Sequence, residues 1–513
     1  MNEHVKKCFG GEMKKVISSI LATCLVLVIS APAFGYITKS IRILGIGEEL
    51  AGVIRDEYTD IYRNPAYLSL VKRVRIFGQN NLIGRTELKI APQITNKETG
   101  LLGVVLPMPD FGNLALVGEL KPSTSEDHPS KIEQQDYSST YRISTYSENL
   151  YTKESIVNFK TIYSRRLSPS LLAGVDFVYL KNYHSSDSEI YSSMIDRSKG
   201  TDELLRDERY EKVKNSDDSP DAQRASLGLL FDSWKRSTLD FTLYYENLNY
   251  VKEAYNRKQS EGIWFSPDTF QFHRLNYSTS SGPVENKAFG LDVNWKRDLS
   301  KKTILSLLFG GRYATNKYTW SEQGRDTSYQ SSGYHTLSEN QSAIDNDDKG
   351  FSLMMGVGCE TRFTFKILDI GDVLANDLDG ACTLGVACKV SWDQEKLDHY
   401  SWYAESRISM VGDSVSKSTD GFEEARVRKT INSYRLSIPM GMEFVIEKVI
   451  KIRLGGEFVV RRDETESGSY SWSKGYYSQG FGLSYHDRIL LDVISKEPMS
   501  HIGNWTARVE YRF

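Results

Sequence analysis

The chain has 513 residues, a net charge of −3 and 40% hydrophobic content. That balance points to no nucleic-acid or acidic partner. A soluble chain of this length usually divides into domains, yet no Pro- or Ser-rich linker, repeat or compositional break marks a boundary.

Aromatics at 12%, with 30 Tyr and 38 Gly, suit β structure. The negative mean hydropathy speaks against a helical membrane protein. It does not speak against a barrel, in which only alternate residues face lipid.

In chain order, the first element is a leader. Met13-Lys14-Lys15 forms a basic n-region, Val16 to Ser30 an apolar run, and Ala31-Pro32-Ala33 a small-x-small cleavage site. This predicts residues 1–33 as an extension plus a cleaved signal peptide, with translation from Met13. Leu21-Ala22-Thr23-Cys24 offers a lipoprotein alternative, but Thr before Cys fits poorly and the apolar run continues past it.

Residues 34–69 do not alternate and read as turns and short helices. Their apolar content (Ile41, Ile43, Leu44, Ile46, Leu50, Val53, Ile54) favours a plug inside a barrel over a loose periplasmic tail.

From residue 70 to 513 the dominant signal is period-two alternation. Leu239, Phe241, Leu243 and Tyr245 alternate with polar residues, as do Phe289, Leu291, Val293 and Trp295. Tyr434, Leu436, Ile438, Met440, Met442 and Phe444 oppose Arg435, Ser437, Pro439, Gly441 and Glu443; Lys451, Arg453 and Glu457 continue the polar face. Each run has roughly the ten residues that a tilted strand needs to cross a bilayer. The charged faces exclude a dry sandwich core.

Short turns join 154–166/170–182, 223–232/236–247, 287–297/302–314 and 430–444/449–461. Long polar stretches (122–153, 183–222, 248–286, 315–349, 393–428) separate the pairs, and strands running on above the membrane stay open there. Such sorting of loops by length belongs to outer-membrane barrels. The pair 351–366/380–392 has a longer turn. With 70–78, 99–107, 112–121, 476–486, 488–495 and 503–513 the strands number sixteen, and 86–95 is ambiguous. The expectation is an all-β, antiparallel, up-and-down transmembrane barrel of 14–16 strands with an N-terminal hatch. The last strand sets Trp505, Ala507, Val509, Tyr511 and Phe513 against Thr506, Arg508, Glu510 and Arg512. Its aromatic positions Trp505, Tyr511 and Phe513 are the expected outer-membrane signal, read by the barrel-assembly machinery.

Beyond the leader remain Cys359, Cys382 and Cys388. They lack C-x-x-C or zinc spacing, allow at most one internal disulfide, and are expected as buried thiols by strand parity. Gly45-x-Gly47 lacks the third Gly of a nucleotide site, and no H-E-x-x-H or G-x-S-x-G occurs. No catalytic residue, cofactor or metal site is therefore expected, and the chain is read as a non-enzyme. The acidic stretches 345–350 and 376–380 lack the closing Glu of a Ca²⁺ loop and read as solvated turns.

The acidic run with Asp56 and Asp60 leading into Asn64-Pro65-Ala66 before the first strand resembles the FadL family of outer-membrane hydrophobic-compound transporters. PorV-like barrels of secretion systems share the pattern, and the terminal Phe513 agrees with it. The resemblance implies a lumenal hatch, with Asn64, Pro65 and Ala66 as its motif, and small hydrophobic ligands. Pro65 fixes its own φ, Asn64 is pushed to extended geometry, and Ala66 leaves room against the wall; a turn starting strand one is the plainer reading. The leading function is a hatch-gated channel in contact with outer-membrane lipid. The alternative is a structural or interaction barrel, secretion-associated or adhesin-like, acting through its long loops.

Overall fold

The computed structural model describes residues 41–46, 48–83, 94–97, 99–108, 110–127, 130–137, 140–199, 201, 204–218, 221–234, 236–264, 270–367, 378–411, 414–418, 422–485, 488–495 and 504–512. The leader and Phe513 lie outside these residues.

Sixteen strands form the wall. In order they are β1 (Arg75–Ile83), β2 (Thr99–Met108), β3 (Gly112–Asp127) and β4 (Thr140–Ser168). Then come β5 (Leu171–Ser198), β6 (Asp221–Trp234), β7 (Ser237–Trp264) and β8 (Phe270–Asp298). These are followed by β9 (Thr303–Gln330), β10 (Tyr334–Ile367), β11 (Leu378–Val411) and β12 (Phe422–Ile446). The last four are β13 (Ile450–Thr465), β14 (Gly468–Tyr485), β15 (Ile489–Ser495) and β16 (Asn504–Arg512).

Each strand pairs antiparallel with the next. The ring closes where Arg75 of β1 meets Arg512 of β16. The chain is a closed sixteen-stranded antiparallel barrel, which leaves no edge at membrane depth and satisfies the backbone throughout.

Three expectations need correcting. The first strand begins at Arg75, because Pro65–Leu70 is a 3-10 helix; Leu68 and Leu70 imitate a strand rhythm. The long polar stretches are mostly strand: β5 has 28 residues and β10 has 34, far more than the roughly ten that cross a bilayer. Asp345 to Asp348 therefore stand within β10 and form no turn. Cys359, Cys382 and Cys388 are free thiols on the outer face, half-buried or exposed, and are not enclosed by protein. Of the ambiguous 86–95, only the start of the short strand Ile94–Lys97 is described.

The outer face is apolar over a band. Tyr245, Phe289, Tyr313 and Phe351 occupy one continuous row across β7 to β10. Trp392 of β11 packs its ring 5.7 Å from that of Phe351 and pairs with Tyr434 of β12. Below them, on the side of the short turns, aliphatic side chains such as Met355 (54% exposed) and Met440 (52%) point outward. An aromatic girdle above an exposed aliphatic band is the lipid-facing surface of a transmembrane barrel; in water so much exposed apolar surface would be a liability.

The wall is uneven above this girdle. β4 to β5 and β7 to β11 run on together, with Leu204–Asp218 filling the place above β6. β13 stops pairing with β12 at Asn432 opposite Glu464 and turns tightly into β14, Thr465 opposite Gly468. Among the described residues, β12 above that level pairs only with β11, and on the other flank Ser130–Asp136 pairs only with β4. Among the described residues the wall is thus tall over half the ring and low from β13 through β16 to β2.

Candidate functional site

Among the described residues, four short elements precede β1: α1 (Ile41–Ile46), a 3-10 turn (Glu48–Leu50), α2 (Glu57–Arg63) and the 3-10 helix Pro65–Leu70. Asp56 caps α2 by accepting from Thr59 N at 3.0 Å, satisfying an amide that a helix start leaves open. Asn64 ends α2 in extended geometry (φ −138°) and its Oδ1 accepts from Ala66 N at 2.9 Å. Pro65 follows as first residue of the next helix, where its missing N–H costs nothing.

These elements touch the inner wall all the way round. Tyr58 meets Phe77 of β1, and with Leu68 it packs against Val105, Val117 and Ile162 of β2 to β4. Ala66 packs on Leu172 and Leu230 of β5 and β6. Val53 and Ile54 pack against Leu308 and Ala387 of β9 and β11. α1 lies against β12 to β15, and Arg508 of β16 stacks 3.9 Å from the Tyr58 ring centroid. A segment touching so complete a circuit of a closed ring lies within it.

Two glycine seats on the wall receive it. Gly174 of β5 and Gly228 of β6 are register partners. A Cβ on Gly228 would overlap Asn64 Oδ1, and one on Gly174 would overlap the Pro65 carbonyl carbon. Into this flat patch Asn64 drops its side chain, donating from Nδ2 to the Leu229 and Phe241 carbonyls, both at 3.1 Å. Tyr67 donates to Asp240 at 2.8 Å, and Asn113 donates to the Leu68 and Val71 carbonyls at 2.7 and 2.8 Å. Further round the ring, Gly385 and Gly441 are also partners, under Ile54 and Ile46.

Charge fastens the α1 end. Arg453, 1% exposed, bridges Glu443 at 2.8 Å and Asp492 at 2.7 Å. Arg42 joins the same Glu443 at 2.8 Å and donates to the Arg55 carbonyl at 2.7 Å. Lys389 meets Glu49 at 3.1 Å, and Glu360 accepts from Arg55 N at 2.8 Å. Lys296 stands 3.4 Å from Asp60. Buried charges of this kind hold position more than they add stability, since desolvation offsets much of their attraction.

Asn64, Pro65 and Ala66 thus lie together on the β5–β6 seat, while the wall charges gather mostly round α1. Arg435 and Glu457 pair with each other at 2.8 Å, and Glu510 joins Arg508 at 3.1 Å. At the C-terminus, Trp505 pairs with Leu82 and Ser495, and Tyr511 points outward. The glycine seats escape sequence reasoning: a Gly on an inward position is recognisable, but its function depends on which segment covers it. No metal-holding cluster of His, Cys, Asp or Glu is present among the described residues.

No protein-family model and no curated protein matches the sequence. Among solved structures the chain is similar to a FadL homologue of Pseudomonas aeruginosa, at 9% identity over 74% of this chain and 98% of that one, with a TM-score of 0.28. It is similar to the monoaromatic hydrocarbon channel CymD at 8% identity, 92% and 99% coverage and a TM-score of 0.33. It is also similar to the toluene transporter TodX of Pseudomonas putida at 10% identity, 94% and 99% coverage and a TM-score of 0.33.

Proposed function

We propose that the protein is an outer-membrane channel for small hydrophobic compounds, gated by its N-terminal segment as a hatch. The observation that carries this reading is a folded segment seated on paired glycines across the lumen of a ring whose outer face is apolar. A permanent structural plug needs only packing. Here charge is added to packing: Arg42 pairs with the buried Glu443, and the partly exposed Arg55–Asp298 pair costs little to open. The partners proposed with it are outer-membrane lipid, the assembly machinery that reads the Trp505, Tyr511 and Phe513 end, and the hydrophobic ligand itself.

The test is removal of residues 36–66 from protein reconstituted in vesicles. Ligand-specific flux and lipid co-purification should both change; if neither does, hatch-gated transport fails. The tall half-wall, with polar side chains on both faces, favours a second reading as an interaction barrel. Deleting the wall above the girdle should then abolish binding to a partner protein while flux persists.

A further inference from the structure

The lowest fully described part of the rim is the β13–β14 hairpin, whose tip closes at Thr465 opposite Gly468. From this tip the inner face of β14 descends to the segment. Strand parity is fixed by Gly480, opposite the buried, inward Arg453 of β13, and by the buried Ser478 and Ser484. On the same face, reading upward, stand Tyr476, Lys474, Trp472 and Tyr470. Three of these four carry aromatic rings, and they lie in water above the packed level, with Tyr470 67% exposed. Lys474 Nζ lies 5.0 Å from the Tyr476 ring centroid, leaning over that ring. Opposite Trp472 and Tyr470 are Arg461 and Asp463, neutralised as a pair at 2.8 Å. At the foot of the ladder α1 packs against β14 itself.

We infer that the inner face of β14 is the entry track of the channel: flat apolar compounds cross the low β13–β14 tip and descend over Tyr470, Trp472 and Tyr476 to α1. The inference rests on the transport reading and adds its route and recognising residues. Rings set along one strand face, with Tyr470 and Tyr476 exposed, have apolar surface to bury and offer each ligand ring an offset-stacked partner. The low tip stands close to the girdle, so a compound dissolved at the membrane surface reaches it without climbing the tall wall.

The test is the initial rate of [14C]naphthalene uptake by cells carrying the full chain, above that of cells without it. Trp472→Ala with Tyr476→Ala should lower the protein-dependent rate roughly tenfold, the worth of one to two ring contacts. Tyr477→Ala, one residue away on the lipid face, should leave it unchanged, and Trp472→Phe with Tyr476→Phe should restore it. Heat-modifiable gel migration checks that each variant is folded. A folded double alanine variant that keeps its rate within about twofold overturns the track, as does equal loss from Tyr477→Ala. If the unaltered protein adds nothing to uptake, the transport reading itself fails.

Discussion

Substituting Gly228 by Val tests the seat on which the Asn64-Pro65-Ala66 segment rests. The new Cβ would overlap Asn64 Oδ1 and crowd Pro65 Cδ at 2.7 Å, both parts of the seated chain. Relief requires the segment to lift, which breaks the two Asn64 Nδ2 bonds to Leu229 and Phe241. Each such bond contributes about 1 kcal/mol net, and a buried donor left unpaired costs about 1–3 kcal/mol. The seat should therefore weaken by about 2–4 kcal/mol, raising the unseated fraction roughly 30- to 1000-fold. Hydrogen exchange of peptides covering 57–71 in detergent micelles reads this directly as lost protection. Gly118→Val is the control, because a Cβ there meets nothing within 4 Å. The wall strands should keep their protection in both variants. If Gly228→Val leaves 57–71 as protected as in the wild type, the paired glycines do not form a seat and the close approach has no energetic consequence.

Three other outcomes follow from the same geometry. Arg42→Ala should loosen only 41–56, because Glu443 keeps Arg453; Glu443→Gln takes a carboxylate from both Arg42 and the buried Arg453, which keeps only Asp492, and should lower stability by about 3–5 kcal/mol, read from urea unfolding in lipid vesicles. Burial holds the Asp60 carboxyl above its ordinary value, with Lys296 pulling the other way. The seated segment then binds that proton more tightly than the released one. Seating should be strongest below the ordinary carboxylate value and weaken as pH rises through the raised one. Exchange of 57–71, corrected for intrinsic rate, should show this slope and Asp60→Asn should flatten it; a flat wild-type profile would sink the idea. Met440→Arg places a charge on the lipid band and should cost roughly 2–4 kcal/mol in bilayers if near the midplane, and little if near the edge. An unchanged urea midpoint in thick-bilayer vesicles and a variant that folds as fast as wild type would together remove that face from the membrane.

Most of the barrel was legible because lipid on one side and water on the other impose opposite chemistry on alternate residues. All sixteen expected strands have a counterpart, and Tyr434 to Phe444 face outward as the alternation requires. Where both faces of a strand meet water, the rhythm disappears. That is why 183–222 and 315–349 read as loops and Asp345 to Asp348 as a turn, although the ladder continues through them. Asn64, Pro65 and Ala66 were visible as a turn-forming triplet with its own local logic. Gly174 and Gly228 were not, since nothing in a lone glycine tells which distant segment needs its missing side chain. The place of Arg42 in the Arg42–Glu443–Arg453–Asp492 chain was hidden for the same reason: it lies 401 residues from Glu443.

The seam of the ring and the seat of the segment share side chains. Tyr58 sits beneath Arg508 of the last strand and beside Phe77 of the first, and Arg75 holds Glu57 at 2.7 Å while reaching Glu510 at 3.8 Å. Pairing of the last strand with the first therefore completes the surroundings of Tyr58 and Glu57, so closing the ring and holding the segment draw on the same side chains, and a substitution at Arg75 or Arg508 acts on both at once.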